Sequence, residues 1–213
     1  MEVIVYCLAV VATYFLGSVP ASVWVGKYFY GVDVREHGSK NAGATNTFRV
    51  LGKRAGIPVL FFDILKGWAA VKLANFAATE TISDVGYTNL QLALGLAAVI
   101  GHIFPLYVGF RGGKGIATLL GVVLALSPQA AGLCILIFLS VLLITNFVSL
   151  SSMIASVAFP VIIIIIQKNT IPSLTVFSIV VAILVLFTHQ KNIERLLSNS
   201  ESKVHLFKRK IID

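Results

Sequence analysis

The sequence predicts an all-α integral membrane protein of about seven transmembrane helices, its N-terminus outside and its C-terminus in the cytoplasm. Three observations predict it. Of 213 residues, 57% are hydrophobic and only 12% charged, and the mean hydropathy is +0.91, whereas a soluble domain carries about 25% charged residues. An uncharged run of 53 residues extends from Gly115 to Gln167, and one helical crossing takes only about 20. Finally, 14 of the 17 Lys and Arg residues collect in three segments, as loops kept on the cytoplasmic side do.

Taken in order, the chain begins with an apolar run over 3–26 that follows Glu2 rather than a basic stretch. It exceeds a signal-peptide core and reads as an uncleaved first span over 3–25. The polar stretch 27–54 holds Lys27, Arg35, Lys40, Arg49, Lys53 and Arg54. A second span over 56–78 carries Asp63, Lys66 and Lys72, and the connection 79–89 has Glu80 and Asp84 but no Lys or Arg. The third span, 90–110, delivers the chain to a glycine-rich loop.

The uncharged run then holds two spans or three short ones, and parity selects three. The final span, 171–188, leads to a tail with Lys191, Arg195, Lys203, Lys208, Arg209 and Lys210. Keeping the basic segments on one side requires an even number of crossings between Lys114 and Lys191. Breaks are expected near Ser127-Pro128 and within 146–152, where Ser, Pro and Asn favour turns and helix starts. No linker or internal repeat is evident, so 1–213 reads as a single membrane-embedded domain.

Composition also narrows the function. A net charge of +8 in a soluble protein would suggest nucleic acid. Here it favours the anionic cytoplasmic leaflet and phosphorylated ligands. Cys7 and Cys134 lie in apolar runs and read as buried thiols rather than as a disulfide, metal ligands or nucleophiles.

The loop over 101–115 departs most from ordinary spanning sequence. Arg111 and Lys114 stand among Gly109, Gly112, Gly113 and Gly115. Glycine lets the backbone approach a ligand and present successive N–H groups, and two fixed cations beside it suit a phosphate. A helix opening at Ile116 would add its N-terminal dipole. The spacing is not that of a Walker loop. The positive-inside rule explains the two cations but not the four glycines.

In the first inner segment, 38–49, Ser39, Asn41, Thr45 and Asn46 accompany Lys40 and Arg49. Such donors suit an anion or a polyol, while Lys27, Arg35, Lys53 and Arg54 read as solvated cations. At the inner end of the last span His189 is either a general base or phosphate donor, or an interfacial anchor. Asn192 would share its face if the helix continues. His102 either packs helices through a backbone carbonyl or serves the site. Asp63 and Lys66, three residues apart, read as a pair that satisfies itself or caps a neighbouring loop, and Lys72 as snorkelling outward.

These three segments resemble the motifs of the bacterial acyl-phosphate:glycerol-3-phosphate acyltransferases, the PlsY family. The first motif is similar to Gly38-Ser-x-Asn-x-Gly-Ala-Thr-Asn46 followed by Arg49. The second is similar to Gly101-His-x-x-Pro105 with Phe110-Arg-Gly-Gly-Lys-Gly-x-Ala-Thr118. The third is similar to His189-x-x-Asn-Ile-x-Arg-Leu with Glu201 beyond it, and Asp63-x-x-Lys-Gly67 in the second span also agrees. Two departures stand out: Arg111 where the family commonly has lysine, and Asn199 where it tends to have glycine.

The resemblance implies acyl transfer from acyl phosphate to the 1-hydroxyl of sn-glycerol 3-phosphate, giving lysophosphatidic acid and phosphate. Neither acyl-CoA nor acyl carrier protein would be the direct donor. It implies catalytic roles for Ser39, Arg49, Lys114, His189 and Asn192. Phosphate binding would fall to Lys40, Asn41, Thr45, Asn46, Arg111, Gly112, Gly113 and Gly115. Ser39 reads as a hydrogen-bond donor rather than an acyl-enzyme nucleophile, and the base is His189 or a substrate phosphate. The partners implied are acyl phosphate, glycerol 3-phosphate and membrane lipids. No metal, cofactor, nucleic acid or obligate protein partner is expected, and the site would face the cytoplasm from a bacterial inner membrane. A transporter of phosphorylated solutes is the rival class, and a non-catalytic membrane docking protein a third.

Overall fold

The computed structural model describes residues 1–204, and all regular structure within them is helical. Lys208, Arg209 and Lys210 lie outside the described residues.

The first apolar run, expected as one span, is two rods: α1 (Glu2–Ser18) and α2 (Ala21–Tyr30). Pro20 separates them, since proline removes an N–H and its ring crowds the preceding turn. A short 3₁₀ turn (Val34–Glu36) and α3 (Ala44–Leu51) follow. Then come α4 (Lys53–Lys72) and the single turn α5 (Ala74–Ala77). Helix α4 starts three residues earlier than expected because Gly52, at φ 80°, turns the chain directly out of α3. Helix α6 (Asp84–Ile103) starts six residues earlier, since Ser83 Oγ accepts from the Gly86 N–H at 3.1 Å and caps it. It stops two residues short of Pro105.

The uncharged run forms α7 (Ile116–Leu126), α8 (Pro128–Thr145) and α9 (Val148–Val161), the last prolonged by a π-helical turn (Ile162–Ile166). Both breaks fall where the sequence places them. Ser127 caps α8 ahead of Pro128, and Asn146 closes it in the left-handed conformation at φ 61°. The chain ends in α10 (Pro172–Thr188) and, after a bend of 59°, α11 (Gln190–Leu197).

Four helical stretches are long and apolar enough to cross a bilayer: Glu2–Tyr30, Asp84–Val108, Pro128–Thr145 and Val148–Ile166. The bent pair α10–α11 makes a fifth if it counts as one span. Helix α7 has 11 residues, roughly 16 Å at 1.5 Å per residue, and α4 carries five ionisable side chains. The outer surface suits lipid: Ile4, Leu8, Leu143, Ile165 and Ile183 are all exposed.

Small residues bring the helices together. A side chain at Gly17 would run into the Ala98 carbonyl, one at Gly67 into that of Thr118, and one at Gly121 into that of Ile64. So α1 meets α6, and α4 meets α7, at backbone contact, the packing that works where lipid offers no hydrophobic drive.

Between these helices lies a buried polar cluster. Lys66 Nζ stands 2.8 Å from Asp63 Oδ1 and donates to the Val19 carbonyl at 3.0 Å, capping α1 at its break. His102 Nδ1 lies 3.5 Å from the same carboxylate oxygen and 3.1 Å from Thr118 Oγ1. The expected Asp63–Lys66 pair is therefore present and also caps a chain end. His102, however, meets the Thr118 hydroxyl, with the Asp63 carboxylate 3.5 Å away, rather than a backbone carbonyl.

Candidate active site

The loop after α6 is folded by its own carbonyls. The N–H groups of Phe110, Gly112 and Gly113 donate to the carbonyls of Pro105, Ile103 and His102 at 2.9, 3.2 and 3.1 Å. The expectation that the loop's glycine amides face an anion is thus corrected for Gly112 and Gly113, whose N–H groups are already used. What the glycines supply is room. A Cβ at Gly113 would strike the His102 ring and, at 2.7 Å, the Ala42 carbonyl. Gly115, at φ 80°, hands the chain to α7, which opens at Ile116 as expected. Lys114 is left half-buried and Arg111 exposed.

The contact of Gly113 with Ala42 joins this loop to the first polar segment. That segment is organised by Asn46, only 1% exposed. Its Nδ2 donates to the carbonyls of Val34 and His37 at 2.7 and 3.1 Å, and its Oδ1 accepts from the Ser39 N–H at 2.8 Å. Both its protons and one acceptor site are therefore spent on the loop itself. Asn46, expected among the phosphate ligands, is a brace instead. Around it Ser39 and Asn41 are half-buried, while Lys40, Thr45 and Arg49 are exposed. Lys40 sits at φ 58°, a left-handed position uncommon for lysine. Asp33 accepts from Arg35 Nη2 at 2.7 Å and from its Nε and backbone N–H at 3.0 Å each, and Arg35 Nη1 donates to the Val108 carbonyl at 2.9 Å, a second tie between the two loops.

The third segment closes on Lys114, whose ammonium donates to Asn192 Oδ1. The carbonyl of His189 starts α11 by accepting from the N–H groups of Asn192 and Ile193. The helix bends here rather than continuing, yet His189 and Asn192 are both buried, at 2% and 5% exposed. His189 Nδ1 lies 2.7 Å from the Val185 carbonyl, so Nδ1 carries the proton and Nε2 keeps its lone pair. Burial, reinforced by the charge of Lys114, pushes the imidazole down to about 4. Burial likewise pushes the Lys114 ammonium down to about 8; Glu201 opposes this, and Arg195 and Arg49 add to it.

Arg195 and Glu201 entered the sequence reading within the third motif but without a site role, and Ser149 did not enter it. Glu201 accepts from Asn192 Nδ2, Ser149 Oγ and Arg195 Nε, each at 2.7 Å. The Arg195 and Glu201 charges six residues apart were a usable signal; Ser149, inside the uncharged run, gave none. Asn199 replaces glycine without loss of the turn, since asparagine tolerates the left-handed conformation it adopts at φ 55°. Among the described residues no group of three or more His, Cys, Asp or Glu could hold a metal ion.

Three polar segments separated in sequence thus meet at one end of an apolar bundle, around a half-buried lysine. Comparison with known proteins gives the family. The family model for glycerol-3-phosphate acyltransferase matches residues 7–199. The chain belongs to the glycerol-3-phosphate acyltransferase family. The enzyme is 42% identical over 194 residues to the glycerol-3-phosphate acyltransferase of Fusobacterium nucleatum, covering 91% of this chain and 95% of that one. It is 40% identical to that of Enterococcus faecalis, covering 96% and 93%. The crystal structure of PlsY, an integral membrane glycerol 3-phosphate acyltransferase, in its glycerol 3-phosphate form superposes with a TM-score of 0.84. That protein is 36% identical, with 94% of this chain and 96% of that one covered. Its lysophosphatidic acid form superposes at 0.81 and 35% identity, covering 94% and 95%. This enzyme is accordingly a membrane-embedded acyltransferase of the PlsY type.

Proposed function

We propose that the enzyme transfers a fatty acyl group from acyl phosphate to the 1-hydroxyl of sn-glycerol 3-phosphate, releasing phosphate and forming lysophosphatidic acid. The observation that carries this reading is the meeting of the three cationic segments, Gly113 against Ala42 and Lys114 against Asn192. Both substrates carry phosphate, and reaction needs two anions brought side by side. Lys114 and Arg111 would hold one phosphate. Ser39, Lys40, Asn41, Thr45 and Arg49 would hold the other and the donor carbonyl. The loop's remaining amides, including that of Gly115, would assist.

In the transfer the glycerol oxygen bonds the acyl carbon, the bond to the phosphate oxygen breaks, and phosphate leaves with the electron pair. Fixed cations then stabilise the developing negative charge, and positioning two substrates supplies much of the rate. Phosphate, with a second pKa of about 6, is a stronger base than His189 held near 4. A substrate phosphate therefore takes the proton of the 1-hydroxyl, and His189 Nε2 orients the acceptor by accepting a hydrogen bond from its neighbouring 2-hydroxyl. Ser39 acts as a donor, because no base lies beside it in its segment.

The topology proposed is seven crossings formed by α1–α2, α4, α6, α7, α8, α9 and α10. The N-terminus lies outside, and the site faces the cytoplasm of a bacterial inner membrane. The grouping of 14 of 17 cations into the three inner segments supports it.

The test supplies purified enzyme in detergent with radiolabelled glycerol 3-phosphate and either palmitoyl phosphate or palmitoyl-CoA. Label should enter lysophosphatidic acid with the acyl phosphate alone. Product from palmitoyl-CoA and none from palmitoyl phosphate would overturn the assigned donor.

A further inference from the structure

The residues just before Val204 do not run free of the bundle; they return to the turn between α8 and α9. Three contacts fasten them there. Ser149 Oγ, in the first turn of α9, donates to Glu201 Oε1 at 2.7 Å. The Val204 N–H donates to the Asn146 carbonyl at 2.9 Å, and the Lys203 ammonium stands 5.3 Å from the Phe147 ring centroid. A turn closed by Asn199 makes the return possible, with the N–H groups of Ser200 and Glu201 both donating to the Arg195 carbonyl at 2.8 and 3.1 Å. Among the described residues the carboxylate delivered by this fold pairs with Arg195 rather than directly with Lys114. It binds Asn192 Nδ2 at 2.7 Å, which fixes the amide's orientation and turns Oδ1 toward Lys114.

We infer that Ser149 and Glu201 form a latch that positions Lys114 and holds it protonated, making Ser149 a positioning residue of the enzyme although it lies on α9, outside the three polar segments. The groups facing Lys114 explain why such a device is needed. Arg49 reaches it from α3, Arg195 from α11, and the uncharged His189 and Asn192 from the α10–α11 bend. Among the described residues Glu201 is the one carboxylate acting on Lys114. Glu201 itself is held below the usual carboxylate range. Burial works against this, and the hydrogen bonds from Arg195, Ser149 and Asn192 outweigh burial. With the latch intact the lysine loses its proton near pH 8. With Glu201 freed or neutralised, the surrounding arginines and burial act unopposed and the proton leaves at lower pH.

This rests on the reading of Lys114 as a phosphate-binding cation, but the test keeps the two apart by not depending on turnover. Competitive acetylation of Lys114 across pH, read by mass spectrometry on the full-length enzyme in detergent, reports its protonation directly. The wild type should give a midpoint near pH 8. Glu201→Gln should lower it by about one pH unit, the span over which a protonation equilibrium changes tenfold. Ser149→Ala should lower it by a smaller amount, with Ser149→Thr restoring the wild-type value. The alkaline fall of kcat/KM for glycerol 3-phosphate should move by the same intervals. If Glu201→Gln does not yield folded protein, Ser149→Ala and Ser149→Thr carry the comparison. A Ser149→Ala enzyme that is slower but titrates with the wild type overturns the inference. If acyl phosphate proves not to be a substrate, the donor assignment fails while the labelling midpoints still judge the latch.

Discussion

Two polar clusters occupy this otherwise apolar protein, and they are built in opposite ways. The one between α4, α6 and α7 closes on itself. Asp63, Lys66, His102 and Thr118 are all at most 7% exposed and are drawn together by ion-pair contacts and by hydrogen bonds to the Thr118 hydroxyl and the Val19 carbonyl. The one at the bundle's end is open. Lys114 commits a single N–H to Asn192, and Arg49 and Arg111 are exposed. Each member of a buried charge pair is committed to neutralising the other, so the closed cluster does not present its charges to a ligand. An open one does. On the proposed reading, the ionisable residues packed between the helices are scaffold, while the chemistry sits at the bundle's end.

Breaking the closed cluster should cost most in stability. Asp63→Leu strands the Lys66 ammonium, and leaving one member of such a pair alone costs about 3–5 kcal/mol. Thermal unfolding in detergent should show a large drop, and an unchanged midpoint would mean Lys66 has another anion. Gly113→Ala probes the join between the clusters, since the new methyl group meets the His102 ring and the Ala42 carbonyl. Misplacing reacting groups by about 1 Å costs about 100-fold, so kcat/KM should fall on that scale.

The next effect is smaller. His189→Gln should lower kcat by about tenfold, the scale of one hydrogen bond to substrate. A loss approaching the upper end of general-base effects, about 10⁴-fold, would make His189 the base after all. The mildest change is Arg111→Lys, which keeps a cation at an exposed position. It should alter KM for glycerol 3-phosphate by at most about threefold, within the range of a screened surface charge, and leave kcat alone.

Much of this was legible in the sequence, and what was not has physical causes. The breaks at Ser127 and Asn146 and the helix start at Ile116 were readable because Pro, Asn and Gly act through their own backbone limits. The α1–α2 break was missed although Pro20 was in plain sight, because the apolar run continues through it and hydropathy is blind to a lost N–H. The glycines of the second motif were correctly flagged and wrongly explained at two positions. A pattern tells that backbone must come close to something, not whether that something is a ligand or another loop. Asn46 shows the same limit: its donors suited an anion, and only its neighbours reveal that carbonyls already hold them. Ser149 was invisible, since one hydroxyl among the serines of an uncharged helix has no distinguishing neighbour in sequence.

The most direct test of the account sets the two clusters side by side in one assay. Lysophosphatidic acid formation from palmitoyl phosphate and radiolabelled glycerol 3-phosphate is measured for Lys114→Gln and for the double variant Asp63→Leu/Lys66→Met. Removing the rim cation should reduce kcat/KM by about 10²–10³-fold with the unfolding temperature unchanged. Replacing both buried charges together should leave kcat/KM within about tenfold of wild type, since an apolar pair of similar volume often substitutes for a buried ion pair. An inactive double variant that still folds, beside an active Lys114→Gln, would contradict the account by placing the chemistry within the membrane.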